Sequence, residues 1–219
     1  MGSVTRTEKT LLIVIIVLSL LYISLIPVIK AVPGLYVLKD IPDLTLAILA
    51  IIAIAGIRGK LLFVTYILCG LAGLALDLPI ENSFILGLVL FLLGHIGYSV
   101  AFSRDFKWQP SHLWLVIFLI VYAVIMGVVM QPFLGSMMIP VYCYIVVITT
   151  MCIFAALRKS GNNYILLGAL LFLASDSALA VNKFVTPVPA EAYIVMFTYF
   201  AAQFFILYGF LREKYSQST

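Results

Sequence analysis

The apolar positions of this chain fall in long unbroken runs, and the polar ones are confined to short gaps between them. Such runs can be read at residues 11–29, 41–57, 61–76, 83–102, 113–130, 137–157, 164–181 and 190–211. Most reach the roughly 17–25 residues that a helix needs to cross hydrocarbon. The pattern predicts an all-α protein, a bundle of eight transmembrane helices. Only Arg58-Gly59-Lys60 parts the second run from the third, and these charges interrupt a stretch too long for one crossing. Pro and Gly punctuate the gaps at Ile26-Pro27, Val32-Pro33-Gly34, Ile41-Pro42, Gln131-Pro132 and 186–189, where they read as helix stops. No gap is long enough to fold alone. Residues 1–219 are therefore expected to form a single integral-membrane domain, with any site built from the helices themselves.

Composition strengthens this reading. Hydrophobic residues make up 64% of the 219 positions and charged residues 10%, against about 25% charged in a soluble domain. The basic residues are distributed unevenly. With eight spans, Arg6, Lys9, Arg58, Lys60, Arg104, Lys107, Arg158, Lys159, Arg212 and Lys214 share one side, while Lys30, Lys39 and Lys183 lie on the other. The positive-inside rule then places both termini in the cytoplasm. The net charge of +4 reflects this topology, and no basic patch suggests a nucleic-acid partner. Short loops and compact length favour a bacterial inner (cell) membrane. The first apolar run is too long for a signal peptide and lacks a small-residue cleavage site after it. Cys69, Cys143 and Cys152 all fall within spans and read as small core residues rather than a disulfide or metal framework. Clusters of small residues, Gly70, Ala72, Gly73 and Ala75, then Gly94 and Gly97, predict close helix approach.

Against this background one residue stands out. Asp176 is the one carboxylate well inside a spanning run, where a charge costs about 2.5–3.5 kcal/mol on insertion scales. Asp77 ends the third run, with Glu81 just beyond. His95 falls near mid-span, with Tyr98 and Ser99 on the same helical face. Tyr199 and Gln203 share a face of the last helix, and Tyr142 and Tyr144 open the sixth. These groups can converge on a polar cavity opening towards the outer leaflet. Two carboxylates in one cavity separate in proton affinity, so that one can stay protonated while the other is ionised. That supplies a general acid and a general base without a metal. A zinc site would need three ligands, and the chain has only two histidines, His95 and His112. No Gly-x-Ser-x-Gly elbow supports a serine hydrolase. No metal or other cofactor is expected. Plainer readings also exist: Ser175 and Ser177 bonding back to their own helix, Tyr142, Tyr144 and Tyr193 serving as belt or packing residues, and Lys183 snorkelling to the interface. A different class of function, a transporter or lipid-binding protein using Asp176 as a proton or headgroup site, fits the same intramembrane carboxylate.

The run from Gly168 through Ser175-Asp176-Ser177 to Phe184 resembles the signature of the YhhN family, the lysoplasmalogenases. The stretch from Gly87 through His95 and Tyr98 to Phe102 is similar to a second family motif, and Thr198-Tyr199-Phe200-Ala201-Ala202-Gln203 supports both. The resemblance implies a membrane hydrolase that cleaves the vinyl ether bond of lysoplasmenyl-ethanolamine or -choline, giving a fatty aldehyde and a glycerophospho-headgroup. The partners implied are a lysophospholipid substrate and membrane lipid. It carries functional weight onto Asp77, His95, Tyr98, Ser175, Asp176, Asn182, Tyr199 and Gln203. Lys183 is added from its position as a headgroup contact. The chain departs from the family at Leu76, where a Gly usually precedes the acidic residue, so Glu81 is an alternative to Asp77. Vinyl ethers hydrolyse by protonation at carbon and capture of an oxocarbenium ion by water, chemistry that paired carboxylates serve. Asp176 and Asp77 are expected to fill those two roles.

Overall fold

The computed structural model describes residues 4–32, 34–159 and 162–216; Pro33, one of the helix stops named above, lies outside them. Its elements are α-helices: α1 (Arg6–Ser24), α2 (Ile26–Ala31), α3 (Asp40–Ala53), α4 (Gly56–Asp77), α5 (Ser83–Ser103), α6 (Leu113–Leu134), α7 (Met138–Ala156), α8 (Tyr164–Ala180) and α9 (Glu191–Ser216). Short 3-10 turns precede α3, α6 and α7, and a π turn at Val181–Val185 extends α8. Among the described residues there is no strand, only an isolated bridge between Phe106 and Arg158.

Local chemistry moves several boundaries. Thr5 and Glu8 form a reciprocal capping box, which starts α1 at Arg6, ahead of its apolar run. The first run then breaks at Leu25, because Pro27 in the first turn of α2 has no N–H to continue the ladder. The division between the second and third runs lies at residues 54–55, so Arg58 and Lys60 sit in the first turn of α4 rather than in a loop. Pro132 does not stop its helix, which continues to Leu134. The stop comes at Gly135, whose φ of +49° excludes ordinary side chains. There the chain reverses: the Tyr142 hydroxyl donates to the Gly127 carbonyl at 3.1 Å, bonding α7 back along α6.

Six helical segments among the described residues are long and apolar enough to cross a membrane: Arg6–Ser24, Gly56–Asp77, Ser83–Ser103, Pro110–Ala156, Tyr164–Val185 and Glu191–Tyr215. The fourth, 47 residues long, contains the whole α6–α7 hairpin. α3 has 14 residues, about 21 Å of helix against a hydrocarbon core of about 30 Å.

Packing neighbours run α3, α4, α5, α7, α8, α9 and back through α1 to α3, a circuit that closes on itself, with α6 held outside on α7. Close approach follows the small residues. A Cβ on Gly97 would lie 2.3 Å from Thr65 Oγ1, fusing α5 to α4, and one on Gly168 would meet the Ala202 carbonyl of α9 at 2.8 Å. Large apolar side chains face outward in quantity, among them Ile52, Val124, Val128, Ile139 and Val146. An exterior so apolar belongs in lipid, not water. Cys69 and Cys152 are buried as expected; Cys143 instead faces outward.

The two ends of the bundle differ. One is tied by charge: Arg158 Nη2 donates to Asp105 and to Glu213, each at 2.7 Å, and Arg58 Nη2 donates to Asp105 at 2.9 Å. The Arg158 guanidinium also lies over the Phe210 ring at 4.8 Å. The Lys214 ammonium bonds Glu8 at 3.0 Å, joining α9 to the start of α1. The other end, where α4, α8 and the π turn finish, is open.

Candidate active site

Each polar group at the open end is positioned by a helix whose opposite face packs against its neighbours. A cavity of about 620 Å³ enters there. Its wall includes Lys39, Asp40 and Asp43 from the head of α3, Asp77 from the end of α4, and Ser175, Asp176, Asn182 and Lys183 from α8 and its π turn, with Tyr199 from α9. A narrower apolar slot of about 60 Å³ lies between α5, α6, α7 and α8, lined by Leu88, Ala123, Met126, Ile145 and Leu173. Leu76, Phe84, Phe91 and Asp176 belong to both walls. Asp176 therefore stands where a polar chamber meets an apolar one.

Two aromatic groups hold it there. The Tyr144 hydroxyl donates to Asp176 Oδ2. His95, fully buried, has its Nε2 at 3.6 Å from the same oxygen, beyond hydrogen-bond length. His95 Nδ1 lies 2.6 Å from the Phe91 carbonyl one turn back. A carbonyl only accepts, so Nδ1 carries the hydrogen and Nε2 presents a lone pair towards Asp176. Phe172 packs edge-on against the imidazole at 4.6 Å and keeps it in place.

Deeper in the bundle the hydroxyls and amide form a chain with one polarity. The Tyr98 hydroxyl donates to Gln203 Oε1, Gln203 Nε2 donates to Tyr199 Oη at 3.1 Å, and the Tyr199 hydroxyl donates to Asp43 Oδ2 at 2.7 Å. Tyr66 closes the back by donating to the Gln203 carbonyl at 3.0 Å.

Most residues singled out from sequence thus meet in or behind one cavity. Asp77 is at its rim, paired with the Lys39 ammonium, its side chain 42% exposed. Ser175 donates across to the Val195 carbonyl of α9 at 3.1 Å rather than back along its own helix. Ser177 does bond backward, to the Leu173 carbonyl at 2.6 Å, and receives the Tyr122 hydroxyl at 2.7 Å. Asn182 caps the Val188 N–H at 2.9 Å, fixing the turn that carries Lys183. The Lys183 ammonium sits over the Phe84 ring at 5.1 Å, facing the cavity. Tyr98 and Gln203 lie behind the wall rather than in it. Glu81 is exposed in the turn after α4 and outside the cavity wall.

Sequence reasoning missed Asp43, Asp40 and Lys39 as cavity residues and read Tyr144 as packing. Asp40 and Asp43 flank Pro42 at the start of a helix, where carboxylates are common for helix-terminus reasons alone.

The fold and site define an integral, multi-pass helical membrane protein with a carboxylate set between a polar and an apolar chamber. Residues 35–210 match the YhhN family, and the chain belongs to that family. The residues named as lining or backing the cavity all fall within the matched segment. The chain is 32% identical over 131 residues to human lysoplasmalogenase TMEM86B, covering 60% of this chain and 55% of the relative. It is 31% identical over 133 residues to a lysoplasmalogenase of Mycobacterium tuberculosis, covering 58% and 51%. Human lysoplasmalogenase TMEM86A is 27% identical over 135 residues, covering 58% and 55%. The chain thus matches about half the length of these curated relatives. No solved structure matches it significantly.

Proposed function

We propose that this protein is a lysoplasmalogenase-like hydrolase that opens the vinyl ether bond of a lysoplasmalogen. The bilayer-embedded domain would span residues 1–219 with eight crossings and both termini in the cytoplasm, its cavity facing the outer leaflet. The observation that carries the reading is the position of Asp176 in the wall between the polar cavity and the apolar slot. A vinyl ether sits at the same kind of boundary in its lipid, between an alkyl chain and a glycerophosphate. The relatives named lysoplasmalogenases support the substrate class.

On this reading the polar headgroup occupies the 620 Å³ cavity, where Lys183 and Lys39 offer ammonium groups to a phosphodiester. Phosphate binding at Lys39 competes with Asp77 for that cation and frees the Asp77 carboxylate to face the cavity. Asp176 delivers a proton to the alkene carbon distal to the ether oxygen. Tyr144 and the lone pair of His95 Nε2 hold its carboxyl in line. The positive charge then develops on the ether-bearing carbon, and ionised Asp77 stabilises it as the second carboxylate. Water adds to that carbon, and the hemiacetal collapses to aldehyde and alcohol. No cofactor is called for in these steps.

The test is a substrate panel. The purified chain in nanodiscs is incubated with vinyl-ether, alkyl-ether and ester lysophospholipids, and free aldehyde and fatty acid are measured. Aldehyde from the vinyl-ether lipids alone is the expected result. Fatty acid release from the ester, or substrate-dependent proton flux in proteoliposomes without any product, refutes it, and the latter supports transport.

A further inference from the structure

Carbon protonation accounts for one proton, and hydrolysis needs a second transfer, from the attacking water. The donor series Tyr98, Gln203, Tyr199 ends at Asp43, a carboxylate that takes no part in carbon protonation. Asp43 is 3% exposed, lies in the wall of the cavity and has one oxygen, Oδ1, with no hydrogen-bond partner. A carboxylate kept only to hold α3 on α9 would be expected to have both oxygens satisfied, because an orphaned buried acceptor costs about 1–3 kcal/mol. Every donor in the series Tyr98, Gln203, Tyr199 points the same way, towards Asp43. Such a polarised series strengthens each bond in it. Tyr199 Oη accepts one hydrogen from Gln203 and donates its own to Asp43, which leaves one lone pair free at the cavity wall.

We infer that the Tyr199–Asp43 pair takes the proton from the water that captures the oxocarbenium ion. This rests on the hydrolase reading above and adds the route of the second proton. As the water oxygen bonds to the ether-bearing carbon, its proton passes to Tyr199 Oη while the tyrosine hydroxyl proton passes to Asp43 Oδ2. In the collapse of the hemiacetal, its hydroxyl proton returns to the Asp176 carboxylate. The carbon–oxygen bond to glycerol breaks, and the proton held at Asp43 returns through Tyr199 to the departing glycerol oxygen. One water is consumed, both carboxyls regain their starting states, and no electrons are exchanged with any other group. Tyr199 touches the water; Asp43 acts through it and is a positioning residue. Lys39 and Asp40, neighbours of Asp43 at the head of α3, and Asp77 at the end of α4 line the same cavity.

The experiment uses the full chain in nanodiscs with lysoplasmenylethanolamine, comparing Asp43→Asn, Tyr199→Phe and the double variant. Each single change should lower kcat about 100-fold with KM within about threefold of wild type, the scale of a lost acid–base group. Because the two residues act as one relay, the double variant should fall no further than about threefold below the worse single. A merely structural role would lower the melting temperature and leave kcat per folded molecule unchanged. Binding of an alkyl-ether lysolipid, which cannot react, reports folding; should Asp43→Asn fail to fold, Tyr199→Phe, which keeps the ring, carries the test. Near wild-type kcat in either folded variant, or losses that multiply in the double, overturns the relay while the hydrolase reading stands. A wild-type chain that releases no aldehyde overturns both.

Discussion

At the scale of single residues, the site depends on how a carboxylate is held among aromatic rings. Asp176 has one hydroxyl donor, Tyr144, and one nitrogen lone pair facing it, from His95. Removing the donor leaves the carboxyl free to turn away from the reacting carbon. Tyr144→Phe should therefore lower kcat about 10- to 100-fold, the scale of a lost hydrogen bond to a group that carries charge during the reaction. KM should change little, since the ring still walls the apolar slot; steady-state aldehyde release checks both. This scale also shows what could be read in advance. Asp176 was legible because an isolated carboxylate in an apolar run is improbable without a partner. The pairing of Tyr199 with Gln203 was legible from their four-residue spacing. Asp43 and Lys39 were not, because each looks like an ordinary helix-end charge until α3 is docked against α4 and α9. Tyr144 stood among the groups that can converge on a cavity but was given no role beside Asp176, because a tyrosine near the start of an apolar helix is far more often at the interface than at a carboxylate.

At the scale of elements, glycines set which helices can approach closely enough to bring these groups together. α8 carries Asp176 and α9 carries Tyr199, and the two pack through Gly168. A Cβ there would meet Ala202 and Ile206 backbone atoms at 2.8 and 2.9 Å. Backbone cannot rotate aside as a side chain can. Gly168→Ala should destabilise the fold by about 1–3 kcal/mol, seen as a lower melting temperature in detergent, with activity falling as the helices separate. An unchanged melting temperature would mean the α8–α9 contact is looser than described. The apolar runs located the long helices well, because hydrophobic length is what the bilayer selects. Their ends were less legible. Thr5 and Glu8 extended α1 through a capping box, Pro132 was absorbed into α6, and the break between α3 and α4 fell ahead of Arg58 rather than on it. Each of these is decided by local hydrogen bonding rather than by hydrophobicity.

At the scale of the molecule, the bundle is tied by charge at one end and carries the site cavity at the other. The Arg58, Asp105, Arg158 and Glu213 side chains tie four chain segments together at the first of these ends, and these arginines, counted from sequence only as topology signals, are also structural. The open end holds the cavity, lined by five carboxylates, Asp40, Asp43, Asp77, Asp176 and Glu191, and by two lysines. That division suits a protein that takes a lipid from the membrane without unfolding its own core. Asp176 as donor of the proton that starts vinyl ether cleavage is the core of the proposed function. It is tested most directly by measuring aldehyde release from lysoplasmenylethanolamine by wild type and by folded Asp176→Asn. The substitution keeps the size of the side chain and removes its acid–base chemistry. A loss of at least about 100-fold in kcat with alkyl-ether lysolipid binding retained is expected; turnover close to wild type in the folded variant would show that Asp176 is not the proton donor.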